Sequence, residues 1–445
     1  MLGFQDTIFA LSSGAGMAGV AVVRISGPES DNILRALGVG DLPAPRYAAL
    51  RSLQHPDSGE LVDRALLLRF PGPQSFTGEN VVELHVHGGE AVLSAVFDAI
   101  ASSGLARMAE PGEFTRRAFE NGKLDLTQAE ALADLIAART YAQRSQALLQ
   151  YDGGLGALYD RWRAELVGFM AHAEAEIDFS DEELPDGLYE RVVININELK
   201  QQIIDHSHTA LQGMVIRTGA PVAILGAPNV GKSSLLNALA RRDVAIVSSE
   251  AGTTRDVVEV QMNLGGYPVT IQDTAGLRQA SDTAEIEGVR RARARAESAL
   301  VKLVVLDPTE PDVPDNVSAV IDASTFVVAS KLDIIGSRFS EIGGIPVHYH
   351  VSSVTGAGLD ELEADLADRI AKCLSGVEGV VPTRERHRSA LAEVIVALER
   401  FEQAELPELA AEDLRVAVHA LGRITGRVDV DEMLDAVFRD FCIGK

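Results

Sequence analysis

The sequence predicts a multidomain α/β protein: an N-terminal α+β domain, then an all-α helical domain, with a doubly wound parallel sheet inserted into the helical domain. Three observations predict it. Residues 1–122 alternate short apolar strands with turn signals. Helical periodicity rich in Ala, Leu, Glu and Arg begins at Lys123, gives way near Arg217 and resumes after Val381-Pro382. Between these helical stretches stands Gly226-Ala227-Pro228-Asn229-Val230-Gly231-Lys232-Ser233, with a buried-strand pattern before it and a helix pattern after it. The boundaries read as 1–122, 123–217, 218–376 and 377–445. A chain of 445 residues has room for about three domains.

Composition narrows the class. An apolar share of 46% and a charged share of 24% are those of a folded globular chain. Two cysteines, Cys373 and Cys442, cannot build a disulfide framework or a four-thiolate zinc site. There is no basic-then-apolar leader and no apolar run of ~18 residues, so a cytoplasmic protein without a membrane span is expected. The net charge of −25 argues against strong RNA binding by the chain as a whole, because non-specific affinity comes from Lys and Arg on phosphates. Contact with RNA would need a local basic patch or a more basic partner.

In the N-terminal domain, Val20–Ile25, Ala65–Phe70 and Val81–His87 read as strands, each closed by a Gly- or Pro-containing turn, and Ala91–Ile100 has helical spacing. Strand side chains repeat every two residues, so Glu83, His85 and His87 share one face. Two imidazoles and a carboxylate suit a metal; the polar side of a half-buried strand is the simpler reading, with no further ligands nearby to complete a site.

From Lys123, Thr127-Gln128-Ala129-Glu130 resembles a capping box, and the helical pattern runs to about Ala175 before the acidic Asp178–Glu183 stretch. A second run covers about Tyr189 to Leu211. In 218–376 the strands read as Val222–Leu225, Val269–Gln272, Val301–Leu306, Phe326–Ala329 and Val347–Val351. The C-terminal part reads as three helices, Thr383–Gln403, Glu412–Gly422 and Asp431–Phe441. Arg290–Arg295 is either an RNA patch or, more simply, the solvated side of a helix.

The inserted domain carries the chemistry. The G-x-x-x-x-G-K-[ST] spacing turns backbone N–H groups toward an anion at a helix N-terminus, Lys232 reaches the outer phosphates, and the Ser233 hydroxyl joins a Mg²⁺ shell. Asp273-Thr274-Ala275-Gly276 follows a strand, which brings Asp273 near the metal and the Gly276 N–H near the γ-phosphate. Gly252-Thr253-Thr254-Arg255-Asp256 stands where a switch loop would bring a threonine to the metal. Ser330-Lys331-Leu332-Asp333 resembles the N-K-x-D guanine motif, since the Asp333 carboxylate can accept from both guanine N–H groups. Ser352-Ser353-Val354 would close over the base. Together, in this order and at strand ends, these make a Ras-like P-loop GTPase domain. Leu277 follows the D-x-x-G motif where a water-orienting Gln stands in Ras-type proteins, so something else must position the water.

These motifs, with Arg24-Ile25-Ser26-Gly27, Phe76-Thr77-Gly78-Glu79, His87-Gly88-Gly89, Pro111-Gly112-Glu113-Phe114, Lys123-Leu124-Asp125-Leu126 and the terminal Phe441-Cys442-Ile443-Gly444-Lys445, resemble the MnmE (TrmE) family of tRNA-modification GTPases over essentially the full length. The resemblance implies modification of C5 of a tRNA wobble uridine, with an aminomethyl or carboxymethylaminomethyl group, from a tetrahydrofolate one-carbon unit (5-formyl or 5,10-methylene) and with an FAD-dependent partner, MnmG (GidA). It implies a homodimer through a folate-binding-like N-terminal domain, with Arg24, Glu83, Lys123 and Lys445 at the folate. It implies GTP or GDP on Asn229, Val230, Gly231, Lys232, Ser233, Ser234, Ser248, Thr253, Thr254, Asp273, Thr274, Ala275, Gly276, Ser330, Lys331, Asp333, Ser352, Ser353 and Val354. It further implies Mg²⁺ at Ser233, Thr254 and Asp273, and K⁺ at Asn229, Ser248, Glu250 and Thr253 in the charge-neutralising part of an arginine finger. Catalytic roles fall to Glu285, which orients the water, to Arg255, and to Cys442 in the modification chemistry. Binding of tRNA is expected mostly through the partner. The chain departs from the pattern at Ser330, where Asn is usual, at Ser248, where Thr is common, and in the early loop Ser13–Ala18, which lacks the expected Pro and one Gly. The rivals are a regulatory switch of the ribosome-assembly kind and a folate enzyme that a GTPase merely regulates. A prenylated tail does not suit Gly444 and Lys445.

Overall fold

The computed structural model describes residues 6–178, 188–242, 259–273, 296–310, 312–375 and 379–428, and beyond them 434, 437, 438, 441 and 444. The chain divides into two compact units, one of Met1–Ala133, Gln150–Gly168 and Arg415–Lys445, the other of Asp134–Leu149 and Phe169–Leu414.

In the first unit six strands form one sheet: β1 Ile8–Leu11, β2 Ala18–Ser26, β3 Ala49–Gln54, β4 Leu61–Phe70, β5 Val81–Gly88 and β6 Arg107–Met108, in the order β3-β4-β5-β2-β1-β6. All neighbours are antiparallel except β1 and β6. Alternation decides the faces. Val23, Ile25, Leu67, Val82, Leu84 and Val86 point inward with Ile33, Leu34, Val96 and Ile100 of the helices Ser30–Ala36 and Glu90–Ser102, and the core is buried. The polar side of the same strands carries Arg24, Glu83 and His85.

The expected strands and helix of this domain are present with bounds shifted by a few residues. Three strands the pattern did not mark, β1, β3 and β6, are short or at the sheet margin, and the helix Glu113–Glu120 is too polar for an apolar period to stand out.

The helix Leu126–Ala137 corrects the expected capping box. The cap is Asp125, not Thr127. Asp125 Oδ1 accepts from the Gln128 N–H at 2.9 Å, and Gln128 Oε1 reaches back to the Asp125 N–H at 3.0 Å, the reciprocal pair of a capping box two residues upstream of the expected one. Thr127 lies inside the helix, and its hydroxyl donates to Asp125 at 2.6 Å. Burial raises the Asp125 pKa against these hydrogen bonds. Leu126 and Ala129 of this helix pack with Leu434, Phe438 and Phe441.

In the second unit lie β7 Ala220–Leu225, β8 Glu259–Leu264, β9 Tyr267–Asp273, β10 Val301–Leu306, β11 Thr325–Ala329, the two-residue pair β12 Glu341–Ile342 and β13 Ile345–Pro346, and β14 Tyr349–His350. The main sheet runs β14-β11-β10-β7-β9-β8. Its pairings are parallel except β8 with β9, a hairpin that turns at Gly265-Gly266 and adds one antiparallel edge strand to the doubly wound sheet. Helices cover both faces of β10, which is buried along all six residues, and that is why it reads as an apolar run broken only by Lys302, whose ammonium pairs with Asp322 at 2.7 Å. Leu235 and Leu239 of the helix Lys232–Arg242, and Leu362, Leu366 and Ile370 of the helix Leu359–Leu374, complete the core with Val222, Ile224, Leu303 and Val305. The helices Leu188–His208, Ala210–Thr218 and Glu385–Gln403, and Tyr141–Tyr151 as far as Leu149, belong to the same unit, and Leu188–His208 packs along Glu385–Gln403. The last long helix is Pro407–Thr425, longer than the expected Glu412–Gly422 because Pro407 is accommodated at its first turn. The expected helix Asp431–Phe441 and most of the Asp178–Glu183 stretch lie outside the described residues. No helix among the described residues is long and apolar enough to cross a membrane.

Candidate functional site

The phosphate loop leaves β7 and turns into the helix Lys232–Arg242. At Gly226 φ is +146°, and a Cβ there would lie 2.4 Å from the Val305 carbonyl oxygen, so only glycine lets the loop pass over the end of β10. Asn229 sits in the left-handed region at φ +64°, and its side chain is exposed. Lys232 is buried. Its ammonium lies back over the loop and donates to the carbonyls of Gly226 at 2.9 Å and Ala227 at 2.6 Å. Ser233 and Ser234 are exposed on the first turn of the helix, where the macrodipole favours an anion. β9 ends at Asp273, whose Cα pairs with Ile224 of β7, so this acidic position lies beside the strand that feeds the loop.

The segments expected to read the base meet this loop through Ser330. Ser330, at the end of β11, is buried, and its hydroxyl donates to the Val230 carbonyl at 2.7 Å and approaches that of Leu306 at 3.2 Å. Lys331 adopts φ +58° and pairs through its ammonium with Asp307. Burial pushes the Asp307 carboxyl up, but hydrogen bonds from Lys331 and Thr309 outweigh it and hold the pKa below the usual value. The exposed Asp333 carboxylate accepts from the Ser352 hydroxyl at 2.5 Å. Ser352 is buried and its oxygen accepts in turn from the N–H groups of Val354 and Thr355, at 3.3 and 3.1 Å. A cleft of about 630 Å³ opens beside these segments, lined among others by Ser234, Asn237, Arg241, Ser353 and Val354. Thus the structure brings Asn229–Ser234, Ser330, Lys331, Asp333 and Ser352–Val354 to one end of the sheet, the C-terminal end of its parallel strands. Ser248, Glu250, Thr253, Thr254, Arg255, Thr274, Ala275, Gly276, Leu277, Glu285 and the Arg290–Arg295 run lie outside the described residues.

A second constellation stands on the N-terminal sheet. Arg24 of β2 is directly opposite Glu83 of β5, and its Nε and Nη2 donate to Glu83 Oε1 at 3.1 and 2.9 Å. The guanidinium also lies 5.2 Å from the Phe76 ring centre and 5.8 Å from that of Phe114. These rings come from segments held by a buried ion network that the sequence did not single out. Arg117, with no exposed side-chain surface, donates to Glu113 at 2.8 Å, to Asp6 at 2.9 Å and to Glu79 at 3.2 Å, and Glu79 also accepts from Ser26 at 2.7 Å. Polarity alone hid it, because a charged Arg reads as surface until its partners are known. Lys123 is exposed; its Cγ would lie 3.4 Å from a Cβ at Gly78. Of the face considered for a metal, Glu83 is bound by Arg24, and His87 pairs with Asp63 at 2.8 Å. Among the described residues no group of three His, Cys, Asp or Glu could hold a metal ion. Cys442 and Lys445 lie outside the described residues. Between them Gly444 accepts from Ser12 Oγ at 2.8 Å, one residue beyond β1.

A family model described as "GTP-binding protein TrmE N-terminus" matches residues 7–123, and one described as "MnmE helical domain" matches residues 126–442. The chain belongs to the MnmE family of tRNA-modification GTPases. It is 51% identical over 445 residues to the protein named tRNA modification GTPase MnmE of Parvibaculum lavamentivorans, with 99% of this chain and 100% of the relative covered. It is 51% identical over 443 residues to the protein of that name in Paramagnetospirillum magneticum, covering 99% and 100%. A zebrafish relative, named 5-taurinomethyluridine-[tRNA] synthase subunit GTPB3, mitochondrial, is 47% identical over 469 residues, covering 99% of this chain and 93% of the relative. Membership makes the chain a GTP-binding enzyme, a GTPase acting in tRNA modification. In this MnmE-family chain, two features of the site escaped the sequence reading: the Ser330 tie to the phosphate loop and the Asp307 partner of Lys331. Asp307 follows β10 at a strand end, which was the available signal.

Proposed function

We propose that the chain is a K⁺-stimulated GTP hydrolase that modifies C5 of the wobble uridine of certain tRNAs, with a tetrahydrofolate one-carbon unit and an FAD-dependent partner, MnmG (GidA). In this reading it is a homodimer through residues 1–122, a folate-binding domain; residues 123–217 and 377–445 are the helical domain, and 218–376 the GTPase domain. Contact with tRNA falls mostly to the partner, as the net charge of −25 favours.

The observation that carries the reading is Asn229. A free x position of the motif is held at φ +64° with its amide exposed at the mouth of the loop, which suits an oxygen donor to a monovalent cation beside the phosphates. The exposed Ser233 hydroxyl and the strand end at Asp273 are oxygen donors of the kind Mg²⁺ takes. Ser248, Glu250, Thr253 and Thr254 complete the two cation sites. When bound, the cations neutralise charge on the transferring phosphoryl group. Lys232 follows the outer phosphates, exchanging its two loop carbonyls for phosphate oxygens, and the loop N–H groups, with those of Thr274, Ala275 and Gly276, hold the anion. Glu285 orients the water that Leu277 cannot, and Arg255 serves the same reaction. Asp333 accepts from the guanine N–H groups while Lys331, Ser353 and Val354 border the base.

At the N-terminal sheet, the half-buried Arg24–Glu83 pair between Phe76 and Phe114 suits a flat heteroaromatic ring with amide-like edges, such as the pterin of a folate. Lys123 and Lys445 would contact the same folate, and Cys442 would serve the modification.

The test is GTP turnover in K⁺ against Na⁺ at equal ionic strength, for the native chain and Asn229→Ala. Faster turnover in K⁺ that Asn229→Ala abolishes is expected; equal rates in the two salts would sink the cation assignment. For the second site, titration of 5-formyltetrahydrofolate should show binding to the native chain that is weakened in Glu83→Ala.

A further inference from the structure

Because the nucleotide domain is an insertion, two covalent connections join it to the helical segments of its unit. One is the end of the helix Ala210–Thr218, which leads into β7. The other is the stretch from Val381 to the helix Glu385–Gln403. A single carboxylate oxygen holds both. Asp134, near the end of the helix Leu126–Ala137, accepts at Oδ1 from Arg217 Nε at 3.1 Å and from Arg384 Nη2 at 2.9 Å. The Asp134, Arg217 and Arg384 side chains are only 20%, 35% and 20% exposed, so these charge-assisted bonds are partly sheltered from water. The two connections also touch directly, for a Cβ at Gly213 would lie 2.2 Å from the Pro382 carbonyl oxygen.

The residues just after Asp134 grip the nucleotide domain a second time. Gln143 Nε2 donates to the Arg217 carbonyl at 3.0 Å. Arg139 donates to Gln261 of β8 at 2.9 Å, and the Ala142 N–H donates to the Gly266 carbonyl, at the turn of the β8–β9 hairpin, at 3.1 Å. From that turn β9 runs to Asp273 at the nucleotide end, a rigid span of about 20 Å at the rise of a strand. One short stretch, 134–143, therefore fastens both connections and the far end of the strand that feeds the D-x-x-G motif.

We propose that Asp134 is a positioning residue for tRNA modification: it makes the two connections one hinge, so that movement of β9 and of the nucleotide domain is passed to the helical segments as a unit. With Asp134 removed, the two connections keep the close approach of Gly213 to Pro382 but lose the shared ion pair, and the movement is absorbed between them. Among the described residues Asp134 bonds to Arg217 and Arg384 and to none of the nucleotide site, so GTP hydrolysis is expected to survive its loss.

The experiment uses the full chain with Asp134→Ala and Asp134→Glu, reading GTP turnover, melting temperature, and the modified fraction of tRNA in cells whose own copy is deleted. Asp134→Ala should keep turnover within about twofold and lower modification about tenfold or more, since a misplacement of about 1 Å can cost up to about a hundredfold. Asp134→Glu, which retains a carboxylate for both arginines, should restore modification. Should Asp134→Ala melt markedly earlier, Asp134→Asn, close in shape to the native residue, is read by the same two activities. Full modification in Asp134→Ala, or turnover and modification falling together in Asp134→Asn, would overturn the proposal.

Discussion

Ser330 Oγ donates a 2.7 Å hydrogen bond to the Val230 carbonyl oxygen, joining the segment that follows β11 to the glycine-rich loop that follows β7. The position is one of the chain's departures from the guanine motif, and the hydroxyl makes a buried tie across 100 residues of sequence. Removing one partner would leave the Val230 carbonyl without this donor. A neutral hydrogen bond contributes about 1 kcal/mol net, so Ser330→Ala should release GDP about fivefold faster. Stopped-flow dissociation of a fluorescent GDP checks this; an unchanged rate would mean the two loops are held by other contacts.

Asp333 offers only acceptors, which matches the two adjacent N–H groups of guanine and conflicts with a carbonyl at that edge. Asp333→Asn replaces one acceptor by a donor. On the proposed guanine contact two charge-assisted bonds are at stake, so affinity for GTP should fall about a hundredfold or more, and xanthosine triphosphate, with a carbonyl at C2, should gain. Turnover with both nucleotides measures the exchange. Ser352→Ala should have a smaller effect of the same sign for GTP, because Ser352 only steadies the Asp333 carboxylate.

Gly444 carries φ +95°, and a Cβ there would fall 1.8 Å from the Leu11 carbonyl oxygen. Gly444→Ala therefore cannot keep the tail against the end of β1, and the hydrogen bond from Ser12 is lost with it. The expected outcome is faster trimming by carboxypeptidase and a loss of tRNA modification, with GTP turnover unchanged. Native-like protection of the tail would contradict the docking.

His206, on the helix Leu188–His208, has its pKa lowered to about 4, first by burial and then by His387 of the helix Glu385–Gln403. The unfolded chain binds this proton near pH 6.5, so between about pH 6.5 and 4 the unfolded state holds more protons than the folded one. Stability from this group is complete above about pH 6.5 and is lost as pH falls toward 4, by at most about 3 kcal/mol. His206→Gln should flatten that part of the pH dependence of urea unfolding; a slope equal to native would assign it to other groups.

Much of the fold was legible because burial writes a period into the chain. β10 has water on neither side and appears as Val301–Leu306 with bounds that match the structure, and β5 has water on one side and alternates. The short β1 and β6 and the polar helix Glu113–Glu120 carry too few apolar residues for a period to emerge, and an antiparallel edge strand, β8, was not distinguished from a loop. The capping box was misplaced by two residues because Asp125 and Thr127 both satisfy the local pattern, and only the geometry of Gln128 chooses between them.

By itself the sequence determined the phosphate loop, the order of the nucleotide motifs and the family, because these depend on residue types at fixed short spacings. Only the tertiary structure decided that Ser330 ties two loops, that Arg117 is an interior ion holding the rings around Arg24, and that one oxygen of Asp134 accepts from both Arg217 and Arg384. Each of these is a contact between residues 38 to 250 positions apart or among several charges at once, and a hydrogen bond at such a separation leaves no period in the chain.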